Sequence, residues 1–351
     1  MTTRPSSSVP PSPVLRSPDH LVAAIPFLLG FLPRSSLVLI WLHAGCITLT
    51  QRVDLPADSS MTATPFPLTA WVQSVVRAAR HAEADALLAV AFPDAGVQAN
   101  EYEPLMSELC RCALDREITM VDALVVHEDQ WWRLDLWSAT FRDAARVLDP
   151  QIAAEVREDF VASGWTHADD RCEVADEFTP DTGLQAVVAQ QLALLPMPRN
   201  AERETWRDSM VSRLQQLLTQ EQRQTPVDLA ALICGLDDIR VRDCILWQLA
   251  QCEDLTCAAK VLRSGLVSCP AGMRAPVGTV AAITAWLRGD GVRATSALDL
   301  ALADDASYGL ALLVSAALTN GLPPRMWRET MDQLSYEACR YGSQTGNTAA
   351  P

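Results

Sequence analysis

Lysine is almost absent from this sequence, since Lys260 is the only one among 28 lysines and arginines. It lies in a helical pattern and follows no glycine-rich loop, which excludes a phosphate-binding loop with its lysine. The glycine patterns of dinucleotide-binding folds and of α/β-hydrolases are missing too, as is a His-Glu-x-x-His zinc motif. The sequence therefore identifies no catalytic residue and predicts no cofactor.

Long apolar runs are also missing. The apolar runs 21–32 and 37–42 are both shorter than the ~20 residues that cross a bilayer, and Pro26 interrupts the first. Residues 1–16 are rich in serine and proline and have no apolar segment of the kind found in export signals. We therefore expect a cytoplasmic protein that does not bind membranes.

Positive charge is scarce relative to negative charge. The formal net charge is −15 and the sequence pI is about 4.7. Recognition of nucleic acid needs clustered cations, so we expect no nucleic-acid partner. An unknown protein partner remains open, and the sequence does not decide the oligomeric state.

The ten cysteines lack the spacings of a metal site. No two form a Cys-x-x-Cys pair, Cys252 and Cys257 are five residues apart, and most of the five histidines are distant in sequence. Most of the cysteines lie in apolar helical stretches, where a free thiol behaves as a small hydrophobic group. We therefore expect reduced cysteines and no bound metal.

Residues 17–145 show the patterns of an α/β domain. Ser17, Pro18 and Asp19 indicate the start of its first helix, and Gly30 is the predicted end of that helix. The predicted order is helix, strand, strand, helix, strand, helix, strand, strand, and the elements are 17–29, 37–42, 46–53, 68–82, 86–92, 100–113, 118–126 and 130–136. Helical crossovers separate the strands that begin at 46, 86 and 118, so these three strands should run parallel. The hairpins should add antiparallel strands at one or both edges of this mixed sheet.

Helical periodicity dominates the second half of the chain, where Gly265 is predicted to end one helix and a single helix is predicted over 324–339. The predicted fold class is an α/β mixed-sheet N-terminal domain followed by an all-α C-terminal domain, either a bundle or repeat-like. The predicted boundaries are a disordered tail over 1–16, the α/β layered domain over 17–145, a linker region over 146–182, the all-helical domain over 183–340 and a frayed tail over 341–351.

Several segments resemble a known family. They are the run 17–31 that begins Ser-Pro-Asp-His, the strand 36–39, the stretch Arg-Val-Asp-Leu-Pro at 52–56, the pair Trp131-Trp132 and the late segment 285–311. Together they are similar to the actinobacterial domain of unknown function family 4192. The resemblance implies a cytosolic actinobacterial protein and no established activity. The family's expected cysteines and glycine after the tryptophan pair are replaced by 134–141.

The late segment also resembles one tetratricopeptide repeat. Trp286, Gly289-Asp290, Ala294, Ala297 and Ala301 follow the spacing of that repeat, in which small residues let two antiparallel helices approach closely. A plain helical hairpin in a bundle and a repeat-like solenoid with a peptide-binding groove both fit this pattern. Trp286 is the candidate partner-contact residue of this hairpin.

Three polar residues follow the predicted parallel strands. Asp54, Asp94 and His127 each lie just past one of them, where open α/β sheets bind ligands. Two carboxylates and an imidazole could act as acid, base or metal ligands. The alternatives are a loop cap for each aspartate and a turn position for His127. Asp54 also stands two residues from Arg52, which favours a solvated ion pair.

The tryptophan pair offers one further candidate. Trp131 and Trp132 must point to opposite faces of a strand, so one should be in the core. The other, for which we choose Trp132, is either covered by a helix or free to contact a partner.

Two main functions are therefore open. The first is a non-catalytic interaction or regulatory protein that binds through its helical domain, and a broad groove along 279–337 would favour it. The alternative is an enzyme or small-molecule-binding protein with its site at the carboxyl ends of the N-terminal parallel strands. A concave pocket around Asp94 and His127 would favour this alternative. A structural subunit of a homo-oligomer is the third possibility.

Overall fold

The computed structural model describes residues 15–56, 67–94, 98–141, 144–163, 165–196 and 198–342. The chain divides into two compact units, with the boundary between Arg171 and Cys172. This boundary lies inside the stretch 146–182 that the sequence predicts as a linker region. The first unit contains a mixed sheet and the second contains helices, so the predicted fold class is confirmed.

The first unit alternates helices and strands as the periodicity predicts. In chain order its elements are α1 (Pro18–Leu29), β1 (Ser36–His43), β2 (Cys46–Asp54), α2 (Leu68–Val75), α3 (Ala78–Ala82), β3 (Ala86–Phe92), α4 (Glu103–Leu114), β4 (Thr119–His127), β5 (Gln130–Asp135), β6 (Thr140–Phe141), β7 (Arg146–Val147) and α5 (Pro150–Ala162). One helix was predicted over 68–82, and two are observed, with a break at 76–77. The short strands β6 and β7 were not predicted.

The strands form one sheet in the order β2-β1-β3-β4-β5-β6, and β7 pairs with β5. β1 is antiparallel to both β2 and β3, whereas β3 and β4 form a parallel pair. β2, β3 and β4 thus run in one direction, as predicted. The second hairpin adds its antiparallel strand β5 on the outer side of β4, as expected, whereas the antiparallel strand of the first hairpin, β1, lies between β2 and β3. Residues 37–41 of β1 are fully buried, so β1 lies inside the sheet and the half-exposed β2 forms the edge.

Helices cover both faces of the sheet. On one face, α2, α3 and α4 pack against alternate residues of β1, β3 and β4 in a single hydrophobic cluster. On the other face, Trp131 donates a hydrogen bond from Nε1 to Asp19 of α1 at 3.0 Å. α5 packs on α1, where the rings of Phe27 and Phe160 stack with centroids 5.0 Å apart. The unit is therefore a layered α/β/α structure around a buried sheet.

The second unit is helical throughout its described residues, apart from turns and short connections. In chain order the helices are α6 (Arg171–Asp176, which begins at the boundary), α7 (Thr182–Leu194), α8 (Arg203–Thr219), α9 (Pro226–Asp237), α10 (Ile239–Gln251), α11 (Thr256–Ser268), α12 (Arg274–Leu287), α13 (Gly291–Asp304), α14 (Gly309–Thr319), α15 (Pro324–Asp332) and α16 (Tyr336–Tyr341). The single helix predicted over 324–339 is two helices, because Ser335 caps a new one through its side chain.

Gly265 was predicted to end a helix, and this prediction is wrong. α11 continues through it to Ser268. A Cβ atom at position 265 would lie 2.6 Å from Cδ2 of Leu232 on α9. The glycine is therefore needed for close contact between helices rather than for a turn.

The hairpin α12–α13 shows the close approach that its small residues predict. Ala294, Ala297 and Ala301 are completely buried. A Cβ atom at Gly278 would lie 2.9 Å from the backbone oxygen of Ala297. The likeness of this hairpin to a tetratricopeptide repeat stays a prediction. Within the described parts of the chain, no helix has both the length and the apolarity needed to cross a membrane.

Candidate functional site

The first unit has a cleft at the carboxyl ends of β3 and β4, which we call the strand-end cleft. Its volume is about 770 Å³. It is formed by the end of α1, the segment before β1, the first turns of α5 and the segment that precedes α6. Its lining combines apolar and charged side chains, namely Val22, Ala23, Pro26, Phe27, Leu32, Pro33, Arg34, Phe92, Pro93, Asp94, Val126, His127, Glu128, Leu148, Ala153, Arg157, His167 and Asp169.

The end of α1 gives the cleft one wall. Gly30 has a φ of 80°, which ends the helix in the left-handed conformation that glycine favours, and its N–H donates to the Pro26 carbonyl. Pro26 has no N–H to donate to the carbonyl of Val22, and both residues line the cleft. A backbone acceptor of α1 thus lacks its usual intrahelical partner beside the cleft.

The antiparallel direction of β1 places its start beside the end of β3. Ser36, the first residue of β1, is paired with Phe92, the last residue of β3. Pro33 and Arg34 immediately precede this strand, so they reach the cleft from the same end of the sheet. Ser35 lies in the left-handed region with a φ of 46°, and its hydroxyl donates a hydrogen bond to the carboxylate of Asp94.

Asp94 lies just past β3, and His127 is the last residue of the neighbouring parallel strand β4. Ala91 and Val125 are in register, so both residues lie at the same end of the parallel pair, as the sequence predicts. Asp94 is exposed and His127 is half-buried. Both line the strand-end cleft.

The segment before α6 contributes His167 and Asp169 to the lining of the cleft. Ala168 forms a bridge with Phe31, since its N–H donates to the Gly30 carbonyl and its carbonyl accepts from Leu32. This bridge holds the ring of His167 edge-on to Phe27, with centroids 4.7 Å apart.

α5 supplies the last part of the lining. Asp149 caps this helix by accepting from the N–H of Gln151, and Pro150 occupies the first helical position. Ala153 and Arg157 are four residues apart on α5, so they lie on one helix face, and both line the cleft.

Asp54 lies at the same end of the sheet but outside the cleft lining. It is the last residue of β2, and β1 separates it from β3. Its carboxylate pairs with Nη2 of Arg52 at 2.6 Å, and its side chain is 75 % exposed. The structure therefore shows the ion pair that the two-residue spacing predicts and does not bring Asp54 together with Asp94 and His127.

The two candidate tryptophans are also outside the cleft. Trp132 is half-buried and packs on the face of the sheet that α2, α3 and α4 cover, whereas Trp131 is buried on the opposite face. Trp286 is only 6 % exposed, and its Nε1 donates to the carbonyl of Leu322 at 3.2 Å. None of these three tryptophans lines the strand-end cleft.

Sequence reasoning missed Arg34, Arg157 and His167. Arg34 could have been found from the hairpin, because an antiparallel neighbour begins where a parallel strand ends. Arg157 reaches the cleft because α5 packs on α1, and His167 reaches it beside the bridge between Phe31 and Ala168. Both contacts join residues that are far apart in sequence. No periodic signal in the sequence reports such a contact.

The thiols of the described residues lie outside the cleft. Among the described residues, no group of three or more histidine, cysteine or acidic residues could hold a metal ion. None of the ten cysteines forms a disulfide bond with another described residue. Burial raises the pKa of Cys244 to about 11 and that of Cys269 to about 12, so these thiols stay protonated near neutral pH.

The fold and the cleft define a two-unit protein, in which a layered α/β unit with a strand-end cleft is followed by a helical unit. Residues 18–325 match the model of a domain of unknown function, DUF4192. The chain belongs to this family. Comparisons with curated proteins and with solved structures gave no match.

Proposed function

We propose that the α/β unit binds a small organic molecule in the strand-end cleft. The observation that carries this proposal is the coincidence of a cleft of about 770 Å³ with the carboxyl ends of the parallel pair β3 and β4. Small-molecule sites usually have volumes of roughly 300–1,000 Å³. Open α/β sheets bind their ligands at this end of the strands.

The distribution of polarity in the cleft supports the same function. Phe27, Pro93 and Val126 are buried and give the cleft an apolar base. Arg34 and Arg157 are exposed at its rim. An apolar base buries most of the ligand, and a few charged groups orient it. Small-molecule sites usually have this composition.

A substitution that fills the cleft tests this function. Ala153→Trp should abolish stabilisation of the protein by its ligand, because the indole would occupy the space beside α5. A ligand at a hundred times its Kd stabilises the native state by about 2.7 kcal/mol, so its shift of the melting temperature should be about 5 °C or more. The measurement is thermal unfolding of the full chain with a panel of metabolites.

Ala154→Trp is the matched control, because Ala154 is the next residue of α5, is exposed and does not line the cleft. The control should keep the thermal shift of the wild-type protein. Shifts that survive in Ala153→Trp, or the absence of any shift in the wild-type protein, would contradict the proposal.

The interaction role of the helical unit stays a prediction. The exposed apolar side chains Leu312 and Leu313 on α14 are compatible with it, at 48 % and 69 % exposure. Scattered exposed leucines are common on protein surfaces and do not by themselves indicate a partner. The strand-end cleft therefore supports small-molecule binding more strongly.

A further inference from the structure

The strand-end cleft is rich in aromatic rings. Two of the seven phenylalanines of the chain, Phe27 and Phe92, and two of its five histidines, His127 and His167, line it. The Phe27 ring is held between His167 at 4.7 Å and Phe160 at 5.0 Å, so this part of the wall is fixed. Aromatic side chains bind planar rings through stacked or edge-to-face contacts.

The cleft is also lined by two arginines, Arg34 and Arg157, that form no ion pair with another described residue. Some arginines of the unit are paired, such as Arg52 with Asp54 and Arg133 with Asp122, and others outside the cleft, such as Arg80, have no ion-pair partner among the described residues. Arg34 and Arg157 differ from Arg80 in lining the cleft, where a ligand can reach them. A guanidinium presents a planar set of donors that matches a carboxylate or a phosphate, so an anionic group of the ligand is the expected partner.

Three carboxylates complete the rim. Asp94, Glu128 and Asp169 line the same cleft, and Asp94 already accepts a hydrogen bond from Ser35. Ionised carboxylates only accept hydrogen bonds, so they would repel a ligand that is purely anionic. A ligand that fits both the arginines and the carboxylates carries hydroxyl or amino donors as well as its anionic group.

We propose that the ligand of the strand-end cleft is a planar-ring anion that also carries hydrogen-bond donors. This inference rests on the proposed small-molecule function and assigns ring contact to the aromatic wall and anion binding to Arg34 and Arg157. Mononucleotides and aromatic amino acids share this chemistry. The two sources differ in the anionic group, which is a phosphate in one and a carboxylate in the other.

A comparison of intact probe molecules with their fragments tests this assignment. The probes are AMP with its fragments adenosine and ribose 5-phosphate, and L-tryptophan with its fragments tryptamine and L-alanine. For the correct source, titration calorimetry on the full chain should show the intact probe binding at least about tenfold more tightly than either fragment, because one charge-assisted contact contributes about that much. AMP or tryptophan alone should show this pattern, which identifies the source.

Substitutions then separate the two contacts. Arg157→Gln and Arg34→Gln should weaken the intact probe about tenfold and leave the fragment without the anionic group unchanged. His167→Ala should weaken the intact probe and the ring fragment alike. The controls are Arg80→Gln, on an exposed arginine of α3 outside the cleft, and His43→Ala, at the end of β1 that lies away from the cleft, beside Asp85. Both controls should bind the probes like the wild-type protein.

The outcomes distinguish this inference from the proposed function. If neither intact probe binds, while a metabolite of another class shifts the melting temperature and Ala153→Trp removes that shift, the ligand class is wrong and the cleft still binds a small molecule. If both arginine substitutions leave the affinity of an intact probe unchanged, the anion assignment is overturned. If an intact probe binds equally well to Ala153→Trp, the cleft is not its site and both proposals fail.

Discussion

Replacing Asp238 by alanine should destabilise the helical unit by about 3 kcal/mol, because the change leaves a network of donors without their acceptor. Asp238 is 9 % exposed and precedes α10. Its carboxylate accepts from Nε of Arg207 on α8 at 3.0 Å and from the N–H groups of Arg240 and Val241. One side chain therefore caps α10 and joins it to α8. Urea unfolding followed by far-ultraviolet circular dichroism measures the loss.

Asparagine at this position separates the cap from the charge. Asp238→Asn keeps a good N-cap oxygen and loses the ion pair with Arg207, so its cost should be about half that of alanine. Asp237→Ala is the matched control, because Asp237 is adjacent and exposed, and its effect should lie within about 0.5 kcal/mol. Equal losses for the alanine substitutions at 237 and 238 would contradict the role given to Asp238.

The same carboxylate should make stability depend on pH. Burial by itself would raise the pKa of Asp238, but the hydrogen bonds from Arg207, Val241 and Arg240 outweigh it and the pKa lies below its ordinary value. As the pH falls, the unfolded chain therefore takes up this proton first, near pH 4. The stability difference between the wild-type protein and Asp238→Asn should be full above that pH and shrink as the pH drops through the lower folded pKa.

Local signals predicted the start and the end of α1 correctly. Ser17, Pro18 and Asp19 indicate a helix start, and the structure has Ser17 as the cap that accepts from the N–H of His20. Gly30 ends the helix as predicted. Such signals succeed because each depends only on residues within one helical turn.

Features that depend on contacts between distant residues were predicted less accurately. Gly265 has the identity of a helix end, yet its role is set by Leu232, which is 33 positions earlier. The interior place of β1 depends on burial from both neighbouring strands, and only its unbroken apolar run hints at this. For such residues the local sequence fits two structural roles equally well, and contacts with distant residues decide which role is adopted.

The residues of the candidate site also differ in how far the sequence predicts them. The chain order of strands and crossovers was enough to place Asp94 and His127 at one end of the sheet. The same reasoning included Asp54, because it did not anticipate that β1 lies between β2 and β3. Arg34 reaches the cleft through the direction of β1, and Arg157 through the packing of α5 on α1. His167 depends on the return of the chain after α5 to form the bridge between Phe31 and Ala168, for which the sequence has no local marker.

The close contact between α12 and α13 leads to the second large effect. Gly278→Val should destabilise the helical unit by about 3 kcal/mol, because the new Cβ would lie 2.9 Å from the backbone oxygen of Ala297 and 3.0 Å from Cβ of Ala301. Backbone atoms of a helix do not move aside individually, so the two helices must separate. The urea unfolding measurement used for Asp238 gives the loss.

Glycine is a poor helix former, so replacing a glycine inside a helix normally increases stability. The control substitution is therefore expected to change stability in the opposite direction to Gly278→Val. Gly309 begins α14, and a Cβ atom there would meet nothing within 4 Å. Gly309→Ala should therefore leave stability unchanged or increase it by up to about 1 kcal/mol. If Gly278→Val were as stable as Gly309→Ala, α12 and α13 would not be in contact at this glycine. The buried alanines of α13 would then need another explanation.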